Sequence, residues 1–270
     1  MASERGFRDK WLRYHKRYEN KATTIFLKVF RSWSRSIDFN KLDVLNYSEV
    51  ISNAINTKQL KDAYLKVYND VGLLHGKRVG YAFNKEVKNE KLFILGDFET
   101  TLQNFIRNYI DTWAFEYFKT VEQTYRNSIV KIVAEMVADG ESTEDITTRL
   151  KKLVNNRNFY RWQARRIART ESTAAANIGA LQAGKITGFK TNKVWISSND
   201  SRTRRIPEDD FDHFHMNGVQ VGIDEFFKVP TKTNMQGYEL MRHPGDRGGL
   251  GNATTSPGNT INCRCTVGIV

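Results

Sequence analysis

The sequence predicts an α+β fold: an elongated, mainly helical N-terminal region followed by a small α+β domain with a short sheet and long loops. Two composition changes support this division. All four prolines lie at Pro207 or later, and twelve of the eighteen glycines lie at Gly179 or later. In the preceding part apolar residues recur three and four positions apart, which is typical of helices. We therefore predict a basic helical region over residues 1–140 and a second domain over residues 141–270.

The first two helical stretches are predicted from their apolar spacing and their glycines. The first helix has a candidate buried stripe made of Trp11, Tyr14, Tyr18, Ile25, Val29 and Trp33. A second stretch runs from about Ser48 into the eighties. It contains Gly72, Gly76 and Gly80, four residues apart and therefore on one face. Because glycine has no side chain, we expect another helix to approach this face closely.

A longer pattern follows between Phe98 and Ala138 and predicts either one long helix or two helices separated by a kink. Its apolar positions are Leu102, Phe105, Ile106, Ile110, Trp113, Tyr117, Val121, Tyr125, Ile129, Ile132, Val133 and Met136. Gly140 is expected to end the pattern, since glycine accepts the left-handed conformation at a helix C-terminus. Ser142 is expected to begin the next helix, because an acidic residue follows three positions later.

The segment Trp162–Gly184 is rich in alanine, which predicts a helix packed closely on more than one side. Arg165, Arg166 and Arg169 precede Glu171 within it. On a tightly packed helix an arginine and a glutamate are expected to be partners in a structural ion network rather than catalytic groups.

Beyond Gly188 the apolar period changes to that of strands. Strands are predicted at Lys193–Ile196, Val219–Val221, Phe226–Val229 and Cys263–Val270. Polar residues are concentrated in the connections and at the segment Asn262–Cys265, which reads NCRC.

Charge and hydropathy exclude some classes of protein. The net charge is +12, and the last 75 residues hold eight Lys and Arg against nine Asp and Glu, so the basic charge lies in the front of the chain. Such a surface favours a polyanion partner, although a solvated helical face is the alternative. The mean hydropathy of −0.56 and the charged N-terminus argue against a membrane span or a signal peptide. We expect a protein made in a cytoplasm that stays in solution.

The two cysteines, Cys263 and Cys265, leave three interpretations. In a strand they would lie nearly two strand rises apart, which disfavours a disulfide between them. With His213, His215 or His243 they could bind zinc, although the spacing is not that of common zinc fingers. The preferred interpretation is two small buried residues and no cofactor. Arg264 would then face the other way and pair with an acid such as Asp200 or Asp246.

Several short motifs in a fixed order carry a resemblance. They are ARTE (168–171), a strand with Trp195, DSRTR (200–204), His213 five residues before Gly218, HPGD (243–246) and NCRC (262–265). In this order they resemble the C-terminal domain of tailed-phage minor head proteins, the Mu F-like head morphogenesis family, over roughly residues 132–270. Two departures are a histidine at His243, where the family often has tyrosine, and a long loop from Arg247 to Ser256.

This resemblance implies a structural minor head protein that lies inside the virion near the portal and acts in head morphogenesis and genome packaging or ejection. The implied partners are the portal oligomer, packaged double-stranded DNA and other head proteins, with no membrane in the mature head. The chain would be made in the host bacterial cytoplasm. We expect no catalytic residue. The expected organising network consists of Arg169, Glu171, Asp200, Arg202, His213, Asp246, Asn262 and Arg264.

Two alternatives stay open. One is a nucleic-acid-binding protein whose helices lie along the phosphate backbone. Its contact candidates are Arg5, Arg8, Lys10, Arg13, Lys16, Arg17, Arg165 and Arg166. The other is a metal-independent nuclease or toxin-like enzyme with a histidine as general acid or base. Motifs of other enzyme classes, such as a phosphate-binding P-loop, are not found.

Overall fold

A computed structural model describes residues 4–87, 95–112, 115–156, 158–188, 191–248 and 255–270. The predicted mainly helical region followed by a small α+β domain is confirmed, and the sheets of the small domain are short and antiparallel. The helices of the first part are α1 (Glu4–Arg35), α2 (Tyr47–Asn53), α3 (Thr57–Val67), a π-helical segment (Tyr68–Leu73), α4 (Leu74–Val87), α5 (Leu95–Thr112), α6 (Phe115–Ala138), α7 (Thr143–Asn155) and α8 (Arg161–Ile186).

The apolar patterns that predicted helices correspond to helices in the structure. In α1, Trp11, Tyr18, Val29 and Trp33 are buried, while Tyr14 and Ile25 are partly buried. The stretch from Ser48 is divided among α2, α3, the π-helical segment and α4. Two helices, α5 and α6, occupy the long pattern, and Trp113 lies outside the described residues.

The turn between α6 and α7 also follows the predicted signals. Gly140 follows α6 with a φ of 76°. Ser142 accepts a hydrogen bond from the backbone N–H of Asp145 at 3.1 Å and caps α7. Glycine is needed at the first position because its φ is positive, and serine at the second because its side chain satisfies a free N–H.

Helix α8 is the element around which the helical part packs. Nearly every residue from Thr170 to Gly184 is buried. The expected close approach is confirmed on one side: a Cβ added at Gly72 would lie 2.8 Å from the Ala175 carbonyl oxygen, and one at Gly76 would lie 2.7 Å from that of Gly179. Both distances are shorter than real Cβ atoms show, so the π-helical segment and α4 can pack here only through glycine.

The C-terminal part contains two small antiparallel sheets and a short helix. Its elements are β1 (Asn192–Ile196), β2 (Gln220–Gly222), β3 (Phe227–Pro230), β4 (Tyr238–Met241), α9 (Pro257–Thr260) and β5 (Thr266–Ile269). One sheet has the order β2-β1-β5, with Trp195 opposite Val267. The other is the pair β3 and β4, with Phe227 opposite Met241. Strand β4 was not predicted.

The apolar residues form two cores that meet at α8. The larger core runs from Trp11 to Ala183 and includes Ile146 of α7, so residues on both sides of position 140 contribute to it. The smaller core contains Ala180, Trp195 and Phe227 together with both cysteines. The domain boundary near residue 140 stays a prediction. Among the helices that the structure describes, none has the length and apolarity needed to cross a membrane.

Candidate functional site: the NCRC loop and its surroundings

The NCRC segment is a loop between α9 and β5 and not part of a strand; Asn262 is exposed and the other three residues are buried. The prediction of a strand over Cys263–Val270 is therefore wrong for its first three residues, because β5 begins at Thr266. Asn262 has a φ of 61°, in the left-handed region, which turns the chain from α9 into the loop. Both cysteines are buried and free.

Side chains of α8 form the hydrogen bonds to the backbone of this loop that a neighbouring strand would form in a sheet. Thr170 accepts a hydrogen bond from the Asn262 N–H at 3.0 Å, and Thr173 donates to the Cys263 carbonyl at 2.5 Å. One turn further, Asn177 donates to the Cys265 carbonyl at 3.1 Å. These three α8 residues lie three and four positions apart on one face. The loop backbone is thus satisfied by a polar stripe on an alanine-rich helix.

The two thiols meet the imidazole of His213. Nδ1 of His213 lies 3.6 Å from Sγ of Cys263 and 3.8 Å from Sγ of Cys265. All three residues are at most 2 % exposed, and the three potential ligand atoms lie within 4.8 Å of one another. The ring of His213 also packs edge-on against Trp195, with centroids 5.2 Å apart.

A second pair of buried side chains orients this imidazole. Nε2 of His213 lies 2.5 Å from Oδ1 of Asn259, and Nδ2 of Asn259 donates to the Glu239 carboxylate at 2.8 Å. Because the carboxylate only accepts, the amide of Asn259 must present NH₂ to Glu239 and its oxygen to His213. Nε2 of His213 therefore carries the proton, and the lone pair of Nδ1 points at the thiols.

The two thiols titrate as a pair. The hydrogen bond from Cys265 lowers the pKa of Cys263 to about 7. The same hydrogen bond, together with burial, raises the pKa of Cys265 well above its usual range. Since one thiolate is stabilised by the other thiol, Cys263 loses its proton first.

Arg264 faces away from the thiols, as expected, and pairs with Asp200. Its two terminal nitrogens bind both oxygens of the carboxylate, one of them at 2.6 Å. Burial alone would raise the pKa of Asp200, but the hydrogen bonds from Arg264 hold it below its usual range. The backbone N–H of Arg202 donates to Asp200 at 3.0 Å, and the charge of its exposed side chain also lowers the pKa of Asp200.

Glu171 is fully buried, and its partner is not an arginine of α8. Its carboxylate pairs with Arg247, and Tyr64 and Tyr68 donate to it at 3.4 and 3.1 Å. The expected pairing with Arg165, Arg166 or Arg169 is wrong, since those side chains leave α8 on other faces. Burial opposes the charged form of Arg247, yet Glu171 raises its pKa above the usual value.

The α8 arginines have partners on α1 instead. Arg165 and Arg169 bind the carboxylate of Glu19 at 2.8 and 2.9 Å. Arg169 also donates to Oδ1 of Asn262 at 3.4 Å, which links α1 and α8 to the NCRC loop. Arg166 lies over the ring of Trp162, with 4.5 Å from Cζ to the ring centroid.

The last two candidate site residues, Asp246 and His243, lie in a separate group at the HPGD segment. Asp246 is bound by Arg242 at 2.6 and 2.9 Å, and these bonds keep its pKa below the usual value despite burial. His243 is buried, its Nδ1 lies 3.0 Å from the Pro244 carbonyl, and burial lowers its pKa to about 4. His243 is not a member of the thiol cluster, so the alternative interpretation in which it binds zinc alongside the cysteines is wrong.

The predicted network is thus divided into several local groups around α8. It depends on residues that sequence reasoning missed, namely Glu19, Thr173, Asn177, Glu239, Arg242, Arg247 and Asn259. The polar residues at helical spacing within α8, Thr170, Thr173 and Asn177, are the one signal in the sequence that could have indicated a bound segment.

The candidate DNA contacts lie mostly on one exposed side of α1. Six cationic residues and one acidic residue occur between Arg5 and Arg17, and of the cationic ones only Arg8 is partly buried. Within the described residues none of the six forms an ion pair. Further along α1, a cleft of about 550 Å³ is lined by the cationic residues Lys28, Arg31, Arg161 and Arg165.

Comparison with known families accounts for the C-terminal part. A family model described as Phage Mu protein F like protein matches residues 127–268, just over half of the chain. The chain belongs to this family. The comparisons with curated proteins and with solved structures found no match. The matched region begins inside α6 and includes α7, α8 and both sheets. Membership in this phage head morphogenesis family implies a protein of the virion.

Proposed function

We propose that this chain is a structural minor head protein of a tailed phage, placed inside the virion near the portal and active in head morphogenesis and genome packaging or ejection. The family match over residues 127–268 is the observation that carries the proposal. The role is proposed to be structural rather than catalytic, and two pairs of oppositely charged buried groups in the matched region support it. These pairs are Glu171 with Arg247 and Asp246 with Arg242.

DNA contact through α1 is part of the same proposal. The cationic side chains between Arg5 and Arg17 lie opposite the buried Trp11 and Tyr18, and the cleft with Lys28 and Arg31 continues this charge towards α8. Helical side chains without acidic partners suit phosphate neutralisation, which needs charge but no particular base sequence. Packaged double-stranded DNA is the polyanion that the inside of a phage head supplies.

Binding of the full-length chain to duplex DNA over a range of salt concentrations tests this contact. We expect binding without sequence preference, with an affinity that falls steeply as salt rises. The variant Arg13→Glu, Lys16→Glu, Arg17→Glu should bind more weakly and reduce the salt slope by about 3, roughly one for each lost phosphate contact.

A matched control changes the net charge equally at exposed lysines of other helices: Lys58→Glu, Lys131→Glu and Lys152→Glu. This control should keep most of the affinity. Equal losses in both triple variants would contradict a specific α1 surface and would indicate an effect of net charge alone. Cleavage of the DNA in the same assay would contradict the structural role and favour the nuclease alternative.

Association with the portal is tested by co-expression with the portal protein encoded in the same genome, followed by size-exclusion chromatography and electron microscopy. We expect a complex in which the chain adds density to the portal ring. The docking surface is proposed to lie in residues 1–140, so the complex should survive the α1 charge variant at moderate salt if docking depends on apolar contacts. A chain that always elutes free from an intact ring would contradict the portal assignment.

A further inference from the structure

The strongest unassigned feature is the cluster of His213, Cys263 and Cys265. Zinc binds cysteine sulfur at about 2.3 Å and histidine nitrogen at about 2.0–2.1 Å in a tetrahedral arrangement, which sets ligand-to-ligand distances of roughly 3.5–3.8 Å. The observed distances from Nδ1 of His213 to the two sulfurs are 3.6 and 3.8 Å. Two edges of a zinc tetrahedron, those from Nδ1 to each sulfur, therefore match the observed distances.

We propose that His213, Cys263 and Cys265 bind one Zn²⁺ ion through Nδ1 and the two Sγ atoms. The second observation that supports a metal ligand is the orientation of the imidazole. Glu239 fixes the amide of Asn259, and Asn259 accepts the proton of Nε2, so the lone pair of Nδ1 is directed at the sulfurs. A histidine held through its other nitrogen by a carboxylate-linked partner is the usual arrangement at metal sites.

The charge and softness of the ligands also favour zinc. Two thiolates and one neutral imidazole balance Zn²⁺, so the buried site carries no net charge. Thiolate ligands select zinc over magnesium and calcium, which prefer oxygen. The cluster supplies three protein ligands within the described residues, and a water molecule completes the tetrahedron.

Zinc in this position would join two segments that β1 and β5 bring side by side. His213 lies in the long connection between β1 and β2, and the cysteines lie in the loop that enters β5. The ion would cross-link a connection of more than twenty residues to the sheet, in a domain whose strands are only three to five residues long. Its role would be to stabilise the folded domain.

The first measurement is metal analysis of the full-length chain purified without chelator, followed by replacement of the bound metal with Co²⁺. We expect one zinc per chain. We also expect the visible ligand-field bands of tetrahedral cobalt together with thiolate-to-cobalt charge transfer in the near ultraviolet. The cobalt spectrum reports sulfur ligation in the unmodified protein and does not depend on any variant folding.

Variants then assign the ligands. Cys265→Ser and His213→Ala should lose the metal, while His215→Ala, an exposed histidine two positions away, should retain it. Asn259→Ala should weaken zinc binding by about 10–100-fold while leaving the cobalt charge-transfer band, because Asn259 only positions His213.

Two results would overturn the proposal. One is a zinc-free chain that gives no thiolate-to-cobalt band when Co²⁺ is added, which would leave the thiols as hydrogen-bond donors to His213. The other is a bound metal that is lost from His215→Ala but kept by Cys265→Ser, which would place the ion elsewhere. Neither result bears on the head protein assignment, since portal and DNA binding are measured separately.

Discussion

Lowering the pH should destabilise this protein well above the range in which carboxylates titrate, because several histidines are buried without charge. His75 of α4 is the clearest case. It is 4 % exposed, neither ring nitrogen has a hydrogen-bond partner among the residues that the structure describes, and it packs against the rings of Trp11 and Tyr18. Burial, with further contributions from Arg78 and His15, lowers its pKa to about 3.

The sign and size of the effect follow from proton linkage. The folded pKa of His75 lies below the unfolded value of 6.5, so below about pH 6.5 the unfolded chain binds more protons and stability falls as pH falls. Between about pH 7 and pH 5 the loss is roughly 2 kcal/mol for His75. His15 and His243, whose pKa values are lowered to about 4 by burial, add similar amounts. The sum of roughly 6 kcal/mol is comparable with the whole stability of many domains.

Urea unfolding of wild type and of His75→Leu at about pH 7 and about pH 5 measures the contribution of His75 to the pH dependence of stability. Leucine is similar in size and leaves no unpaired nitrogen in the core, so the variant should be at least as stable at about pH 7. Its advantage over wild type should grow by roughly 2 kcal/mol at about pH 5. All samples contain chelator, so that release of a bound metal ion at low pH does not contribute to the difference in stability.

Asn20→Leu on α1 is the matched control, because its side chain is exposed and carries no titratable group. It should lose stability with pH in parallel with wild type. An equal loss of free energy of unfolding between the two pH values in His75→Leu and wild type would contradict a neutral, buried His75. That result would mean that His75 is protonated in the folded protein, with a partner that the structure does not show.

Three further changes should alter stability by amounts that urea unfolding resolves. Gly179→Ala should cost about 3 kcal/mol or more, because its new Cβ would lie 2.8 Å from the carbonyl carbon of Gly72 and neither backbone can move alone. Glu171→Gln should cost about 3–5 kcal/mol, because it leaves the guanidinium of Arg247 buried without a counter-charge. Ser142→Ala should cost about 1 kcal/mol through the lost helix cap.

Controls for these changes lie on the same helices. Gln182→Ala on α8 and Lys151→Ala on α7 should each change stability by less than about 0.5 kcal/mol. A neutral Gly179→Ala would contradict the close packing of α8 against the π-helical segment. A neutral Glu171→Gln would show that Arg247 finds another partner or reaches water.

The helical part was predictable from local signals, and the site was not. Apolar spacing, Gly140 and Ser142 each act through neighbours in the chain, so the helices between Glu4 and Ile186 follow from sequence with shifted boundaries. The π-helical segment was not predicted, and it contains Gly72, which packs closely on α8. The pairing of buried charges also depends on tertiary contacts, which is why the predicted arginine partners of Glu171 were wrong.

The conformation of the NCRC loop also depends on contacts with residues that are distant in sequence. The segment that begins at Cys263 resembles a strand in sequence, since β-branched and small residues follow the two cysteines. Their backbone is instead bound by side chains of α8, about ninety residues earlier in the chain. The pairing of Arg264 with Asp200 could be anticipated, because the alternation of side chains in any extended segment places an arginine between two buried residues on the opposite side.

The shared helix α8 limits how phages could exchange parts of this gene by recombination. A junction at residue 127, where the family match begins, would fall inside α6, and it would separate Gly72 and Gly76 from the helix that they fit. A donor of new N-terminal helices would have to carry small residues at the matching positions. N-terminal sequences in such hybrids are therefore constrained by α8 as well as by whatever partner they bind.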